Sequence, residues 1–493
     1  EPCMSLSTFV KSLQNIMRND EGINGDAQRI EQIVWLLFLK IYDAKEQEWE
    51  FMDSAYRSII PEKLRWRSWA VDKKDGKALT GDALLNFVNN ELFPGLRDLP
   101  LDETSSRRQR IVRAAFEDNN NFMKKGVLLR QVINVIDAID VSSLNSRHAF
   151  GEIYETILKS LQSAGNAGEF YTPRAVTDFM AAMLAPKLGE RIADFACGTG
   201  GFLTSALNQL APQIKTVEDR RQYNSALYGC EKKALPFLLC VTNMLLHDLD
   251  DPVIMHGNSL SRPVQDYQEG DLFDVILMNP PYGGSELESI KANFPLELRS
   301  SETADLFMAL IMHRLKDKGR AAVILPDGFL FVTDGAKLAL KHKLLTEYNL
   351  HTVIRLPKSV FAPYTPIATN ILFFDKTGPT KETWFYRIDL PEGYKAFSKT
   401  KPMRLEHFAP VTAWWNARKP LEEDGVPRAA VYAVQDILAN DANLDLCGFP
   451  HEEEEILPPA ELIARYQSER RRLNALVDDK LARILAALEQ QES

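Results

Sequence analysis

A short segment with the residue types needed for chemistry, Asn279-Pro280-Pro281-Tyr282, follows the apolar run Phe273–Met278. The run predicts a buried strand, and open α/β sheets place their reactive groups beyond the carboxyl ends of such strands. These residue types suit the methylation of an amino group that is conjugated to a planar ring or carbonyl. Such a nitrogen is a poor nucleophile because its lone pair is delocalised, so a catalyst must accept hydrogen bonds from both N–H groups.

Each residue of this segment has a distinct task in that chemistry. Asn279 offers a neutral side-chain carbonyl, and Pro280 offers a main-chain carbonyl. Consecutive prolines fix φ at about −65° and remove N–H donors, which orients these acceptors in advance. Tyr282 can then stack on a flat substrate. The alternative is a simple turn, because Asn-Pro often begins one.

A glycine-rich turn precedes this segment in the chain. The apolar Arg191-Ile192-Ala193 predicts a strand that runs into Asp194, and the turn then contains Gly198, Thr199, Gly200 and Gly201 before a helical pattern. Glycines let a ligand approach the backbone, and a helix N-terminus offers free N–H groups, so the pattern favours a nucleotide-type cofactor. The acidic residue and the lack of Gly-Lys-Ser/Thr indicate a ligand with an amino group and a sulfonium rather than a pyrophosphate.

Two more predicted strands end in polar side chains. Glu231 ends the strand that begins at Ala226, where a carboxylate can grip a ribose diol, although a solvated loop carboxylate is the alternative. Asn258 follows the strand that begins at Val253, and its amide can pair with the edge of an adenine ring. Gly-Asn is equally common in turns.

Upstream of the glycine-rich turn lies Gly168-Glu169-Phe170-Tyr171-Thr172-Pro173-Arg174, which leads into a helical pattern from Ala175 to Leu184. Thr172 is predicted to be the helix N-cap, with Pro173 at the first helical position. Capping explains the Thr-Pro pair. It does not explain Glu169 and the two aromatic residues.

The elements that position these residues alternate between strand and helix, which predicts an α/β fold with a doubly wound sheet. Helices are expected at Ala234–Leu246 and from Asp305 through Leu315. Further strands are expected at Gly319–Pro326, Leu350–Leu356 and Thr369–Phe374. Between the last two strands, the loop around Phe361 and Tyr364 either faces the same substrate as Tyr282 or packs Phe361 into the core.

The two ends of the chain have a different pattern. Residues from Leu6 to about Leu144 have helical periodicity and predict an N-terminal helical domain. Its arginine cluster (Arg107, Arg108, Arg110, Arg113) favours a solvated face, with a DNA-facing role left open. After about Asp375 the chain is predicted to be less regular, until a long amphipathic helix from Ala460 to Leu488 that packs on its own domain or pairs with a partner.

Composition excludes several classes of protein. The chain has 493 residues, a net charge of −10 and no apolar run of the ~20 residues that a membrane span needs, so no membrane partner is expected. The negative charge argues against strong free-standing DNA binding. The 5 cysteines include no Cys-x-x-Cys pair, which favours a reducing cytoplasm and disfavours a zinc site or disulfide framework.

The ordered motifs resemble those of adenine-specific DNA methyltransferases that use S-adenosylmethionine, and specifically the modification subunit of type I restriction-modification systems. The resemblance covers nearly the whole chain and rests on the helical N-terminal region, Gly168–Arg174, the glycine-rich turn and Asn279–Tyr282. One departure is visible. The turn in this family usually begins Asp-Pro-Ala-Ala-Gly, whereas this chain has Phe195 and Cys197.

The resemblance implies methyl transfer to the exocyclic amine of adenine in duplex DNA, with the target base flipped out of the stack at a cost of a few kcal/mol. No metal is required. Asn279, Pro280, Pro281 and Tyr282 would hold the adenine. The residues implied to line the S-adenosylmethionine site are Glu169, Phe170, Tyr171, Thr172, Pro173, Arg174, Asp194, Gly198, Thr199, Gly200, Gly201, Glu231 and Asn258.

The expected organisation is a helical domain at residues 1–148, a catalytic domain at 149–400 and a C-terminal region at 401–493 that ends in a partner-binding helix. The expected partners are DNA, a specificity subunit that chooses the DNA sequence, and a restriction (motor and nuclease) subunit, with two copies of this chain per methyltransferase complex. The alternatives are a methyltransferase for glutamine or ribosomal-RNA guanine, and an assembly subunit whose site is vestigial.

Overall fold

The structure is a computed structural model, and it describes residues 6–103, 105–161, 171–398, 400–423, 425–449 and 459–489. The chain forms two compact units, Glu1–Gly448 and Phe449–Ser493. The predicted domain boundaries at residues 148 and 400 stay predictions.

A single mixed sheet organises the larger unit. Among the described residues it has 10 strands in the order β3-β2-β1-β4-β5-β7-β6-β8-β10-β9. The strands are β1 Ile192–Asp194, β2 Leu227–Glu231, β3 Ile254–His256, β4 Phe273–Met278, β5 Leu315–Pro326, β6 Asn349–Arg355, β7 Thr369–Asp375, β8 Glu382–Arg387, β9 Leu421–Glu423 and β10 Val426–Ala433. Strands β3, β2, β1, β4 and β5 are parallel to one another, whereas β7 is antiparallel to β5 and β6.

Helices precede the sheet and connect its strands. Before β1 the helices are α1 Leu6–Met17, α2 Gly25–Met52, α3 Trp66–Trp69, α4 Gly81–Phe87, α5 Phe93–Arg97, α6 Arg107–Glu117, α7 Gly126–Asp137, α8 Leu144–Ser160 and α9 Arg174–Leu184. The later helices are α10 Gly201–Leu210, α11 Val217–Asn224, α12 Ala234–Leu246, α13 Glu288–Lys291, α14 Thr303–Arg314, α15 Asp327–Phe331, α16 Gly335–Glu347, α17 Ala409–Asn416, α18 Val434–Ala439 and α19 Pro459–Glu489. The helical N-terminal region and the α/β sheet confirm the predicted fold class.

Strand β4 shows why its sequence is apolar from Val275 to Met278. Successive side chains of a strand point to opposite faces of the sheet. Val275 and Leu277 pack into one hydrophobic core, and Ile276 and Met278 pack into the other. Helices cover both faces, so every position from Val275 to Met278 is buried, and the strand has the predicted bounds Phe273–Met278.

The chain after Asp375 is more regular than its sequence pattern predicted. Strands β8, β9 and β10 extend the sheet as far as Ala433, and α17 packs beside them. Trp384 and Tyr386 of β8 lie against Trp414 of α17, with ring centroids 5.7 and 4.8 Å apart. These strands lie at one side of the sheet, where polar and apolar residues mix, so they lack the continuous apolar signal of the central strands.

The arginine cluster joins the helical region to the loop after α12. Arg107 pairs with Asp251 at 3.0 Å, and Arg108 donates to the Asp250 carbonyl while its guanidinium lies 3.8 Å from the centroid of a Trp49 ring. Arg110 and Arg113 donate to the carbonyls of Asp102 and Leu99. All four groups bond within the chain, Arg107 and Arg110 are exposed, and a DNA-facing role stays a prediction.

Among the described helices, none combines the length and the apolar character that a membrane-spanning segment requires.

Candidate active site

The order of the strands brings the predicted site residues to one place. The chain leaves β1 for β2 and β3 on one side and returns as β4 on the other, so a crevice opens where the carboxyl ends of β1 and β4 lie side by side. Open α/β sheets bind ligands at such a switch point. Two cavities lie there, of about 230 and 20 Å³.

The two cavities share Ala196, Gly198 and Asn279. The larger is also lined by Glu231, Asn258, Pro281, Glu286, Phe195 and Phe307, among others. The smaller is also lined by Thr172, Asp194, Thr199 and Gly201. Residues that are far apart in the sequence therefore line two adjoining cavities, and Asn279 belongs to both.

The glycine-rich turn has a backbone that other side chains could not adopt. Gly200 has a φ of +83° and forms the N-cap of α10, and a Cβ there would lie 2.9 Å from the Cys240 sulfur. Asn243 of α12 donates to the Thr199 carbonyl at 3.2 Å. The turn is therefore held tightly against α12, and Gly198 and Gly201 bring bare backbone to the cavities.

Glu231 fixes the turn from the end of β2. Its carboxylate is 6% exposed and accepts hydrogen bonds from the backbone N–H groups of Gly198, at 3.0 Å, and Lys233, at 2.8 Å. The solvated loop carboxylate that the sequence left open is therefore wrong. A carboxylate has about four acceptor sites, so Glu231 can still accept from a ligand hydroxyl.

The Asp194 carboxyl is perturbed by its burial in the site. It is 1% exposed, and one carboxylate oxygen accepts a hydrogen bond from the Ala196 N–H at 3.1 Å. Burial raises the pKa of Asp194 to about 8, the hydrogen bond from Ala196 opposes this, and the charge of Glu231 adds to it. In the cofactor-free chain at neutral pH this carboxyl is mostly protonated.

Asn279 is held by a residue 107 positions earlier in the chain. Its side-chain N–H₂ donates to the Thr172 hydroxyl oxygen at 3.0 Å, and its carbonyl oxygen accepts from the Tyr282 hydroxyl. The prediction that Thr172 caps a helix is wrong. Helix α9 begins at Arg174 with Pro173 at the N-cap and no side-chain cap, because the Thr172 hydroxyl points to Asn279 instead.

The rest of the Tyr171–Arg174 segment supports the site from outside. Tyr171 and Arg174 both bond to a Glu155 carboxylate oxygen, at 2.9 and 2.8 Å. A Cβ on Gly201 would lie 1.9 Å from an Arg174 nitrogen, so this guanidinium packs on the first residue of α10. Tyr171, Pro173 and Arg174 line a separate cavity of about 300 Å³. Glu169 and Phe170 lie outside the described residues.

The aromatic loop divides its two rings between core and site. Phe361 is 4% exposed and belongs to the hydrophobic core, so the core-packing alternative is correct for it. Tyr364 is half-buried and lies close to Tyr282. Burial is the main cause that raises the pKa of Tyr282, and the charge of Tyr364 is the second cause. Pro280 is buried, and Pro281 lines the larger cavity.

Asn258 occupies a turn, as one of its two interpretations predicted, and its contact with an adenine ring stays a prediction. It begins a short 3-10 helix, and its carbonyl oxygen accepts from the Leu260 N–H at 3.0 Å, as a turn residue would. Its N–H₂ donates to Glu286 at 3.3 Å at the wall of the larger cavity. Sequence analysis missed Glu286, because no pattern shows that the loop after Tyr282 returns to this cavity.

The part of the chain that the structure describes contains no cluster of three or more His, Cys, Asp or Glu residues able to hold a metal ion.

Comparison with known proteins assigns both parts of the chain. Residues 145–455 match the N-6 DNA Methylase family, and residues 6–136 match the HsdM N-terminal domain. The chain is 51% identical to the Escherichia coli type I restriction enzyme EcoEI methylase subunit, over 96% of each chain.

Solved structures agree with this assignment. A modification subunit of a candidate type I restriction enzyme from Vibrio vulnificus superimposes with a TM-score of 0.77 and 41% identity, over 89% of this chain and 94% of that one. A chain from a study of assembly and conformational transition in the type I restriction-modification system gives a TM-score of 0.79 and 34% identity, over 99% of each. The chain therefore belongs to the N-6 DNA methylase family and, within it, to the methylase subunits of type I restriction enzymes, as the order of its motifs predicted.

Proposed function

We propose that this chain methylates the exocyclic amino group of adenine in duplex DNA, with S-adenosylmethionine as the methyl donor and Asn279 as an acceptor for the amine hydrogens. The orientation of Asn279 carries the proposal. Because its N–H₂ bonds to Thr172, its carbonyl oxygen is the atom left to face a substrate. Asn279 lines both cavities.

The chain's own residues prepare the amine for attack. The amine displaces the Tyr282 hydroxyl from the Asn279 oxygen, and the Pro280 main-chain carbonyl accepts the second hydrogen. Two neutral acceptors draw the nitrogen lone pair out of conjugation without adding a charge to the site. The displaced Tyr282 ring is free to stack on the base. The adenine must leave the DNA stack to reach this position.

The residues around the cavities fit the proposed cofactor. Bare backbone at Gly198–Gly201 and the N-terminus of α10 suit close approach, Asp194 is an acid suited to a cationic group, and Glu231 has acceptor sites for a ribose diol. When bound, S-adenosylmethionine supplies an electrophilic methyl group. Asp194, Glu231 and Asn258 would hold it, and Tyr171 and Arg174 would act indirectly by supporting α10.

Helix α19 supports the proposal that the chain works in an assembly with a specificity subunit. It exposes a stripe of apolar side chains, each about half exposed or more, at Ile463, Tyr466, Leu473, Val477 and Leu481. Their spacing of three, seven, four and four residues keeps them on one face. A net charge of −10 is poorly suited to DNA binding alone, so a specificity subunit would choose the sequence. We also propose that the assembly includes a restriction subunit and two copies of this chain, and that it is located in the cytoplasm.

The test is methyl transfer by Asn279→Ala in the complex with the specificity subunit, with labelled S-adenosylmethionine and DNA that carries the target site. We expect methylation to be lost while the affinity for S-adenosylhomocysteine stays within about threefold, because the missing bond is to the reacting amine. Asn440→Ala is the matched control, since Asn440 is exposed and distant in the sequence from the site. Appreciable methylation by Asn279→Ala would refute the assignment.

A further inference from the structure

The loop after the catalytic segment returns to the larger cavity and places Glu286 in its wall. Gly283 has a φ of +68°, which turns the chain, and the Thr303 N–H then holds the Gly284 carbonyl at 3.0 Å. The Glu286 side chain is 9% exposed. The same short loop therefore joins the residues proposed for the target base to the cavity proposed for the cofactor.

The donors and acceptors around Glu286 have a defined order. Asn258 donates its N–H₂ to one Glu286 oxygen at 3.3 Å, and Lys232 lies 3.3 Å from the other oxygen with its own side chain 55% exposed. The Asn258 carbonyl is already used by the Leu260 N–H. The bond from Leu260 fixes the orientation of the amide, so Asn258 presents its N–H₂ donors at this wall, where Glu286 presents acceptors.

This pair is complementary to one edge of adenine. The adenine ring carries an amine, which donates, beside the ring nitrogen N1, which accepts. Hypoxanthine and guanine carry a carbonyl at the position of the amine and an N–H at the ring nitrogen. With these bases an acceptor would face the Glu286 carboxylate, and a donor would face the Asn258 N–H₂. Phe195 and Phe307 line the same cavity and supply apolar surface for a flat ring.

We infer that Glu286 accepts a hydrogen bond from the exocyclic amine of the cofactor's adenine while Asn258 donates to the adjacent ring nitrogen, so that the two residues select the base of the cofactor. Glu231 then serves the ribose and Glu286 the base, from the ends of two different loops of one cavity. Lys232, at the rim, compensates the charge of a carboxylate that is largely removed from water. This inference rests on the proposed function, because it concerns the same cofactor.

The test compares S-adenosylhomocysteine with an analogue in which hydrogen replaces the 6-amino group of the purine. Both are titrated by calorimetry into the full-length wild-type chain, Glu286→Ala and Glu286→Gln. We expect the wild type to prefer the amino form by about tenfold to a hundredfold, the scale of a hydrogen bond to a charged group. In Glu286→Ala the preference should fall to about threefold or less, while the affinity for the analogue stays close to that of the wild type. Glu286→Gln keeps an acceptor oxygen and should retain part of the preference.

The control is Glu288→Gln, two residues further along the chain at the start of α13, because the Glu288 side chain is 88% exposed and pairs with Lys291 at 2.8 Å. It should behave as the wild type. A preference that persists in Glu286→Ala would overturn the inference, as would an equal loss for both ligands, which would indicate a purely structural role. If the wild-type chain binds neither ligand, the proposed cofactor itself is wrong, and the two failures are thereby distinguished.

Discussion

The pKa of Asp194 predicts that cofactor binding depends on pH. The carboxyl is 1% exposed and has a pKa of about 8 in the cofactor-free chain, so at pH 7 about one chain in ten carries it ionised. If a cationic ligand binds only the ionised form, its apparent dissociation constant at pH 7 is about tenfold above the value at high pH, which is about 1.4 kcal/mol. Lowering the pH from 7 to 6 should weaken binding by a further factor of about ten.

Calorimetric titration of S-adenosylhomocysteine into wild type and Asp194→Asn between pH 6 and 9 measures this effect. The amino group of the ligand also titrates in this range, but it contributes equally to both proteins. The ratio of the two dissociation constants therefore isolates Asp194. Titrations at pH 6.5 in buffers with different ionisation enthalpies should show about one more proton released by the wild type than by the variant. Parallel pH profiles for the two proteins would refute the reasoning.

The same pKa shift has a consequence for stability that needs no ligand. Because the folded chain raises the Asp194 pKa from 3.8 to about 8, the folded state holds a proton that the unfolded state has lost between those values. The contribution of Asp194 to the free energy of unfolding therefore falls as the pH rises through this window, by up to about 1.4 kcal/mol per pH unit. In thermal unfolding, the melting temperature of Asp194→Asn relative to that of the cofactor-free wild type should increase as the pH rises from 5 to 8.

Three other substitutions or deletions test separate contacts. Thr172→Val removes the acceptor that orients Asn279. Single-turnover methylation in the complex should therefore slow by about tenfold or more, the scale of one lost hydrogen bond, while the cofactor affinity is unchanged. An unchanged rate would count against the orienting role. Glu231→Ala should weaken S-adenosylhomocysteine binding by about 1.5–3 kcal/mol, whereas Glu231→Gln, which keeps one acceptor, should weaken it less, and equal affinity in all three proteins would exclude a contact with the ribose. Deleting 459–489 should leave a folded, cofactor-binding chain that no longer co-elutes with its specificity subunit in gel filtration, and continued co-elution would disprove docking through α19.

The central sheet could be predicted from the sequence because its strands are buried on both faces. The run Phe273–Met278 is apolar except at Asp274, and the turn residues on either side fix its bounds. Strands β8 to β10 lie at one side of the sheet and mix polar with apolar residues, so the same criterion overlooked them. Their place depends on aromatic packing between β8 and α17, which only the folded chain brings together.

The site could be predicted where function depends on the end of a strand and not where it depends on a long-range contact. Glu231 and Asn279 come directly after apolar runs, so their positions followed from the topology alone. The bond from Asn279 to Thr172 spans 107 residues, and local propensity offered helix capping as a sufficient explanation for the same threonine. Glu286 had no local signal, because its position depends on how the loop after Tyr282 folds back.

The contact between Tyr282 and Asn279 satisfies the half-buried Asn279 carbonyl oxygen, the proposed acceptor, while no substrate is bound. A buried carbonyl without a donor costs about 1–3 kcal/mol, and in this structure the Tyr282 hydroxyl supplies that donor. In the proposed mechanism one donor replaces another when the adenine amine arrives, so the number of hydrogen bonds changes little. The favourable free energy that offsets base flipping must then come mainly from elsewhere, and stacking of a base on an aromatic ring contributes about 1–3 kcal/mol. In this proposal Tyr282 supplies both the donor that satisfies Asn279 before binding and the ring that stacks on the base afterwards, because the hydroxyl that leaves Asn279 belongs to that ring.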